Sequence, residues 1–186
     1  MKRITPLTLA SLMAAVLAFG LDRAHKGFQV SGECIAPGSS PCVEILSHFI
    51  PFSMSDWRGG EVVQVTSFFD YVLVWNTGIS YGLFGSLPVW GLGLLMLAAI
   101  VALSVWWWQT DSGLTRLGLS FSIGGALSNA LDRLLYGAVA DFFHFHYAEW
   151  SFYIFNIADM AITLGVILLL ADLVRLRKPH DSPDRA

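Results

Sequence analysis

Carboxylates set among apolar residues are the first candidates for chemistry, because a charge in hydrocarbon is costly and is kept where it has a task. Asp159 lies seven residues into an apolar run that begins at Phe152, with Asn156 at i−3 and Thr163 at i+4 drawing a polar stripe down one side. No Lys or Arg in that run can pair with it. Asp141 stands in Gly137-Ala138-Val139-Ala140-Asp141-Phe142-Phe143, where apolar neighbours would desolvate it and raise its pKa. Asn129, Asp132 and Arg133 fall at i, i+3 and i+4 and share a helical face. Asn76, in Asn76-Thr77-Gly78 between two apolar stretches, offers a further amide. Two carboxylates with amides around them and apolar walls suggest an aspartyl-protease dyad. Such a pair shares one proton, because like charges a few ångströms apart cannot both ionise. One Asp then takes a proton from water while the other donates a hydrogen bond to the scissile carbonyl. Each group also has a plainer reading: Asp159 as a protonated helix–helix hydrogen bond, Asp132 and Arg133 as an interfacial ion pair, Asn76-Thr77-Gly78 as a turn.

Other chemistries find less support. There is no His-Glu-x-x-His for a zinc peptidase and no Gly-x-x-x-x-Gly-Lys to cradle phosphate. His144 and His146 would share a face in a strand and diverge in a helix; they read as interfacial polar groups beside Phe143, Phe145 and Tyr147 rather than as metal ligands. Cys34 and Cys42 are the only cysteines, too few for a structural zinc site, and both a disulfide and two free thiols remain open. No metal or organic cofactor is expected.

These groups need elements to hold them, and the composition says of what kind. Of 186 residues, 55% are hydrophobic and 13% charged, about half the charged share usual in soluble domains. This excludes a disordered chain, a basic nucleic-acid binder and a disulfide framework, and points to a membrane protein. Four stretches are read as spans: about 4–21, 87–108, 117–131 and 152–171. The first is read as an uncleaved span rather than a signal peptide. Pro6 and Pro88 open the first two, and Trp106, Trp107 and Trp108 form an interface anchor at the end of the second. The expected fold is a four-transmembrane-helix bundle, all-α in the membrane, in a single domain over 1–186, with a small β-sheet on its outer face. The sheet is expected in the outer loop, about 27–75, where 61–75 is rich in Val, Thr, Phe and Tyr. Lys2 and Arg3 before the first span, and Arg175, Arg177 and Lys178 after the last, place both termini in the cytoplasm. On a span running inward from Phe152, Asp159 would lie about 10 Å below the outer surface.

Taken in order, the polar clusters resemble the bacterial lipoprotein signal peptidases, the type II signal peptidases. Asp22-Arg23-Ala24-His25-Lys26 is similar to the family's Asp-x-x-Thr-Lys, with His for Thr. Asn76-Thr77-Gly78-Ile79-Ser80-Tyr81-Gly82 is similar to Asn-x-Gly-x-x-Phe-Gly, with Tyr for Phe. Residues Gly124 to Arg133 resemble Gly-Gly-Ala-x-Gly-Asn-x-x-Asp-Arg, with Ser128 in place of Gly. Gly137 to Phe142 and Phe155 to Asp159 fit Gly-x-Val-x-Asp-Phe and Phe-Asn-x-Ala-Asp. The resemblance implies an aspartyl endopeptidase in the bacterial inner membrane, with Asp141 and Asp159 catalytic. It implies a supporting shell of Asn76, Asn129, Asp132, Arg133 and Asn156. The implied substrate is a prolipoprotein carrying diacylglycerol on its lipobox cysteine, cut just before that cysteine, and the implied inhibitor is the cyclic peptide globomycin. No cofactor is implied. Membrane lipid is an expected partner and nucleic acid is not; oligomeric state is not legible. A small transporter using intramembrane Asp residues as a proton relay is the competing reading, although it would favour inverted repeats and a midplane site.

Overall fold

The computed structural model describes residues 5–30, 62–78 and 89–177. The candidate disulfide between Cys34 and Cys42, most of the long loop, residues 79–82 of the second motif and the basic residues Lys2, Arg3 and Lys178 lie outside them. Four helices form the frame: α1 (Pro6–Val30), α2 (Val89–Gln109), α3 (Gly113–Tyr136) and α4 (Ile157–Arg177). Beside them lies an antiparallel sheet of β1 (Val63–Gln64), β2 (Phe69–Asn76), β3 (Val139–Tyr147) and β4 (Trp150–Ser151), in that order.

Among the described residues, three helices are long and apolar enough to cross a membrane: α1 over Pro6–Gly27, α2 over Gly91–Gln109 and α4 over Ile157–Arg175. Their large apolar side chains point outward, as Val16, Leu97, Val101, Ile167 and Val174 do. That is the pattern of a chain whose solvent is lipid rather than water. The protein is a multi-pass membrane protein.

The fourth helix, α3, is built differently and explains the architecture. The other three pack on it, so apart from Leu119 its buried residues are small or polar: Thr115, Gly118, Ser120, Ser122, Gly124, Gly125, Ser128, Asn129 and Asp132. Close approach requires two of these glycines. A Cβ on Gly124 would stand 2.9 Å from the Ala18 Cβ and closer still to the Ala15 carbonyl of α1. One on Gly125 would stand 2.9 Å from Ile162 Cγ1 and closer still to the Ala158 carbonyl of α4. Small residues let helix backbones meet where hydrophobic burial between helices supplies no driving force. The helix begins at Ser112, whose side chain accepts from the Thr115 N–H, and ends at Gly137 in the left-handed conformation (φ 73°), with its N–H donated to the Arg133 carbonyl. The expected third span, 117–131, is therefore the middle of a longer helix.

Two other expected boundaries move, each for a physical reason. The first helix does not end near Leu21 but continues to Val30, because Asp22, Arg23 and Lys26 find partners inside the bundle. The fourth helix does not begin at Phe152. Phe155 bridges Phe143 as a strand would, and the Phe142 and Phe143 N–H groups both donate to its carbonyl at 3.0 and 2.9 Å. The apolar residues 152–155 belong to this aromatic layer: the Phe145 and Phe155 rings stack 5.9 Å apart and Phe143 lies 5.7 Å from Phe155. The helix starts only at Ile157, and Asp159 occupies its first turn.

Strands β1 and β2 fall in the stretch expected to form them, but the sheet is not confined to the first outer loop. Strands β3 and β4 come from the connection between α3 and α4, whose residues 139–147 pair with β2. Pairing of β2 with β3 runs from Phe69↔Phe145 to Asn76↔Val139, with a register shift between Tyr71 and Val74. The shift buries Val72 and Leu73 in succession, so strict alternation fails there. It also brings the ends of the two strands together, with Val74 opposite Asp141. Leu73, Ala140 and Phe142 form the buried core of the sheet. On α1, His25 closes the gap to the sheet: its ring lies edge-on to Phe142 at 4.9 Å and its Nε2 pairs with the Tyr71 hydroxyl at 2.9 Å.

Candidate active site

Each candidate residue reaches the site from a different element. Asp141 projects from β3 and is 2% exposed. Asp159 stands at the start of α4, half-buried, where Asn156 caps the helix. The Asn156 Oδ1 accepts the Asp159 N–H at 3.0 Å, and the Asp159 Oδ2 accepts the Asn156 N–H at 3.2 Å. This is a reciprocal capping box with Asn and Asp in the roles usually taken by Ser and Glu. A third orphan donor, the Ala158 N–H, is satisfied by Asp22 Oδ1 of α1 at 2.9 Å. Asn129 and Arg133 come from α3, and Asn76 from the end of β2. Asn76, Asn129, Arg133, Asp141 and Asp159 line one cavity of about 220 Å³, closed on its apolar side by Met96, Val139, Ile154 and Ile162.

The hydrogen-bond pattern is one-sided. Asp141 Oδ1 accepts from Asn156 Nδ2 at 2.6 Å, and its Oδ2 accepts from Asn76 Nδ2 at 3.1 Å. Asp159 Oδ1 accepts from Asn129 Nδ2 at 2.9 Å, and its Oδ2 accepts the Asn156 N–H. An asparagine amide could in principle present either end, but here each carbonyl end is already held by a donor. Asn76 Oδ1 accepts the Gly78 N–H at 3.1 Å. Asn156 Oδ1 accepts the Asp159 N–H, and Asn129 Oδ1 accepts from Lys26 Nζ at 3.0 Å. The NH₂ ends must therefore face the carboxylates. All four carboxylate oxygens accept an N–H on one side, which leaves their remaining lone pairs for a shared proton and for water.

Electrostatics agree with the geometry. Asp141 is pushed up to about 7, first by burial and then by the nearby Asp159 carboxylate, against the pull of the Asn76 and Asn156 amides and of Lys26. A carboxyl in that state keeps its proton well above the usual carboxylate range. Arg133 does not neutralise the pair by direct contact. Its guanidinium donates to the Gly78 carbonyl at 2.7 Å and to the Asn129 carbonyl at 3.5 Å, which ties the start of the Asn76 turn to α3.

The expected shell is otherwise brought together, with one member set apart. Asn129 and Arg133 line the cavity, whereas Asp132 turns away from it. Asp132 is fully buried, pairs with Lys26 Nζ at 2.7 Å and with Arg23, and accepts the Ala140 N–H at 3.2 Å. It thus holds the backbone one residue before Asp141. Residues quoted for the first motif but not counted in the site prove to be its foundation. Asp22 and Lys26 are 0% and 2% exposed, and Ser128 links them to α3 by donating to Asp22 Oδ2 at 2.6 Å while accepting from Arg23 Nε at 2.7 Å. The available signal was an Asp22/Lys26 pair at i, i+4 just past an apolar run. His144 and His146 do share a strand face, their rings 5.4 Å apart, and both approach Asp70 of β2, at 3.4 and 3.0 Å.

Comparisons with known proteins follow this geometry. The family profile described as Signal peptidase (SPase) II matches residues 14–175. A lipoprotein signal peptidase of Rhodopseudomonas palustris (strain TIE-1) is 44% identical over 177 residues, covering 91% of this chain and 93% of its own length. Another from Methylorubrum extorquens (strain PA1) is 49% identical over 126 residues, 66% of this chain and 74% of its own. Two solved bacterial membrane enzymes share the fold. One has a TM-score of 0.70 at 21% identity, covering 95% of this chain and 94% of its own. The other has a TM-score of 0.64 at 25% identity, covering 91% and 94%. With the profile spanning all four helices and the sheet, the chain belongs to the signal peptidase II family.

Proposed function

We propose that this protein is an intramembrane aspartyl endopeptidase that removes signal peptides from prolipoproteins, with Asp141 and Asp159 as its catalytic pair. The observation that carries this is the pair itself: two carboxylates lining one cavity, all four oxygens accepting N–H groups from amides or backbone, with no cation among the described residues in contact. An amide cage of this kind orients the carboxylates without neutralising them. The ionised member takes a proton from the attacking water. The protonated member donates to the scissile carbonyl as it becomes tetrahedral, and the proton is then passed to the leaving amine. Asn76, Asn129 and Asn156 hold the pair, Arg133 fixes the Gly78 turn beside it, and Asp132 fixes the strand that carries Asp141.

The substrate reading extends to a precursor already bearing diacylglycerol, cut just before its lipidated cysteine. An apolar groove of about 1250 Å³ between α1, α2 and α3 supports it, because Met96 and Arg133 line both that groove and the dyad cavity. Acyl chains in the groove would leave the adjoining peptide bond at the carboxylates. Globomycin, a cyclic peptide, would compete for the same cavity. We further read α3 as a fourth span, despite its polar composition, because α1 and α4 pack along its buried face. Four spans put both termini on the cytoplasmic side and the sheet and dyad on the outer side, as the basic ends suggest. The whole chain then forms one integral membrane domain.

The test is cleavage of a diacylglyceryl-modified precursor by purified Asp141→Asn and Asp159→Asn variants in detergent. Loss of cleavage in both, with each variant still melting as a folded species, is expected; full cleavage by either would overturn the assignment.

A further inference from the structure

We propose that Lys26 is a positioning residue for the Asp141–Asp159 pair, acting through the amide of Asn129. The inference rests on the dyad reading above. Three asparagines present NH₂ groups to the carboxylates, and each must be kept from turning over. For Asn76 and Asn156 the lock is a nearby backbone N–H, from Gly78 and Asp159. Asn129 sits inside a helix, where its own backbone N–H groups are committed to the helix ladder. Its carbonyl end is held by the Lys26 ammonium at 3.0 Å.

The geometry suits a lock rather than a loose counter-ion. An ammonium has three hydrogens and no acceptor capacity. Lys26 Nζ has three acceptors: Asp132 Oδ2 at 2.7 Å, Asp22 Oδ2 at 2.8 Å and Asn129 Oδ1 at 3.0 Å. None of its hydrogens is left to wander, and a rotated Asn129 would point NH₂ at NH₃⁺. The other contact to Asn129 Oδ1 is weaker in kind. Asn156 Nδ2 has two hydrogens for three acceptors: Asp141 Oδ1 at 2.6 Å, Asn129 Oδ1 at 3.1 Å and the Ala140 carbonyl at 3.3 Å. Without Lys26, Asn129 is free to offer its carbonyl to Asp159. That oxygen could then be tolerated only if Asp159 held the proton, so the sharing between the two Asp residues would change.

The charged and titratable groups around Lys26 are Asp22, Arg23 and His25 on α1, Asp132 and Arg133 on α3, Asp141 on β3 and Asp159 on α4. Removing this cation lifts the proton affinity of Asp141, which Lys26 lowers in the intact protein. The experiment uses the whole chain in detergent with a diacylglyceryl-modified precursor peptide, comparing wild type, Lys26→Met, the Lys26→Met/Asp22→Asn double variant, and Asp141→Asn as reference. The double variant removes one cation and one carboxylate together and keeps the charge balance of the core.

The expected result for Lys26→Met is a fall in kcat of about tenfold or more, KM within about threefold, and both limbs of the pH–rate profile moved to higher pH. The double variant is expected to regain melting temperature but neither kcat nor the wild-type profile. A folded Lys26→Met with wild-type kcat and profile would overturn the proposal. So would a double variant in which both return along with stability, since that is the behaviour of a merely structural ion pair. Should Lys26→Met not fold, the double variant decides. Activity in Asp141→Asn would instead sink the dyad reading itself, whereas an inactive Asp141→Asn beside a fully active Lys26→Met sinks only this inference.

Discussion

Two pairs of buried or half-buried carboxylates, Asp22 with Asp132 and Asp141 with Asp159, live in unlike neighbourhoods. Asp22 and Asp132, both fully buried, are matched by two cations, Arg23 and Lys26, with Ser128 and the Ala158 and Ala140 N–H groups filling the remaining positions. Asp141 and Asp159 touch amide and backbone N–H groups and, among the described residues, no cation. The first pair joins α1, α3, β3 and α4 into one body. The second lines a cavity and keeps lone pairs to spare. The same side chain is therefore a rivet when its charge is matched and, on the proposed reading, a reagent when it is merely oriented. The two sets are connected through the Asn129 amide, which accepts from Lys26 and donates to Asp159.

The contrast predicts opposite losses. Replacing Asp141 or Asp159 by Asn should lower the cleavage rate of a lipidated precursor by about 10⁴-fold or more while the protein still purifies and melts as a folded species. Replacing Asp132 by Asn should act first on the fold. Breaking one partner out of a buried ion pair costs about 3–5 kcal/mol, which a thermal melt in detergent would register as a lowered Tm. If Asp132→Asn kept wild-type stability and lost only activity, the division between the two neighbourhoods would collapse.

An intermediate effect is expected where the cage meets the reagents. Asn76→Ala removes one N–H from Asp141 Oδ2 and should reduce kcat by roughly 10–100-fold, with the upper limb of the pH–rate profile moving to higher pH. A full-length pH series on this variant checks both. Closer to packing, Gly125→Ala places a methyl group against the Ala158 carbonyl beside the Asp159 cap. A loss of about 1–3 kcal/mol is expected from overpacking, measured by the same melt.

A separate effect concerns stability against pH. Asp141 holds its proton up to about 7, above the value of an unfolded Asp. Such a group stabilises the fold most at low pH, and that contribution is lost as pH rises from about 4 through about 7. The Tm of wild type relative to Asp141→Asn should therefore decline across that window and level off above it. A flat difference would mean that Asp141 is an ordinary carboxylate.

Much of this arrangement was legible in the amino-acid sequence, for identifiable reasons. Apolar runs with charges only at their edges report helices in lipid, which is why α2 lies within two residues of its expected bounds. Asp141 and Asp159 stood out because charge among apolar residues is costly. What the sequence hid was where apolar residues change structure without changing character. Phe152 to Phe155 read as helix but ladder onto β3, and only the Asn156–Asp159 capping box marks the true start of α4. Asp22, Arg23 and Lys26 fall past the expected end of the first span, and nothing local reveals that Asp132 and Asn129, more than a hundred residues away, will meet them. Asp132 and Arg133 share a helix face by spacing, yet point to different tasks, since adjacent residues on α3 diverge by about 100°.

The most direct test of the central claim pairs two readings on one preparation: the melting temperature and the single-turnover cleavage of a diacylglyceryl precursor by Asp159→Asn. An unchanged Tm with cleavage reduced by about 10⁴-fold or more is the predicted result. Cleavage at the wild-type rate by the folded variant would contradict it.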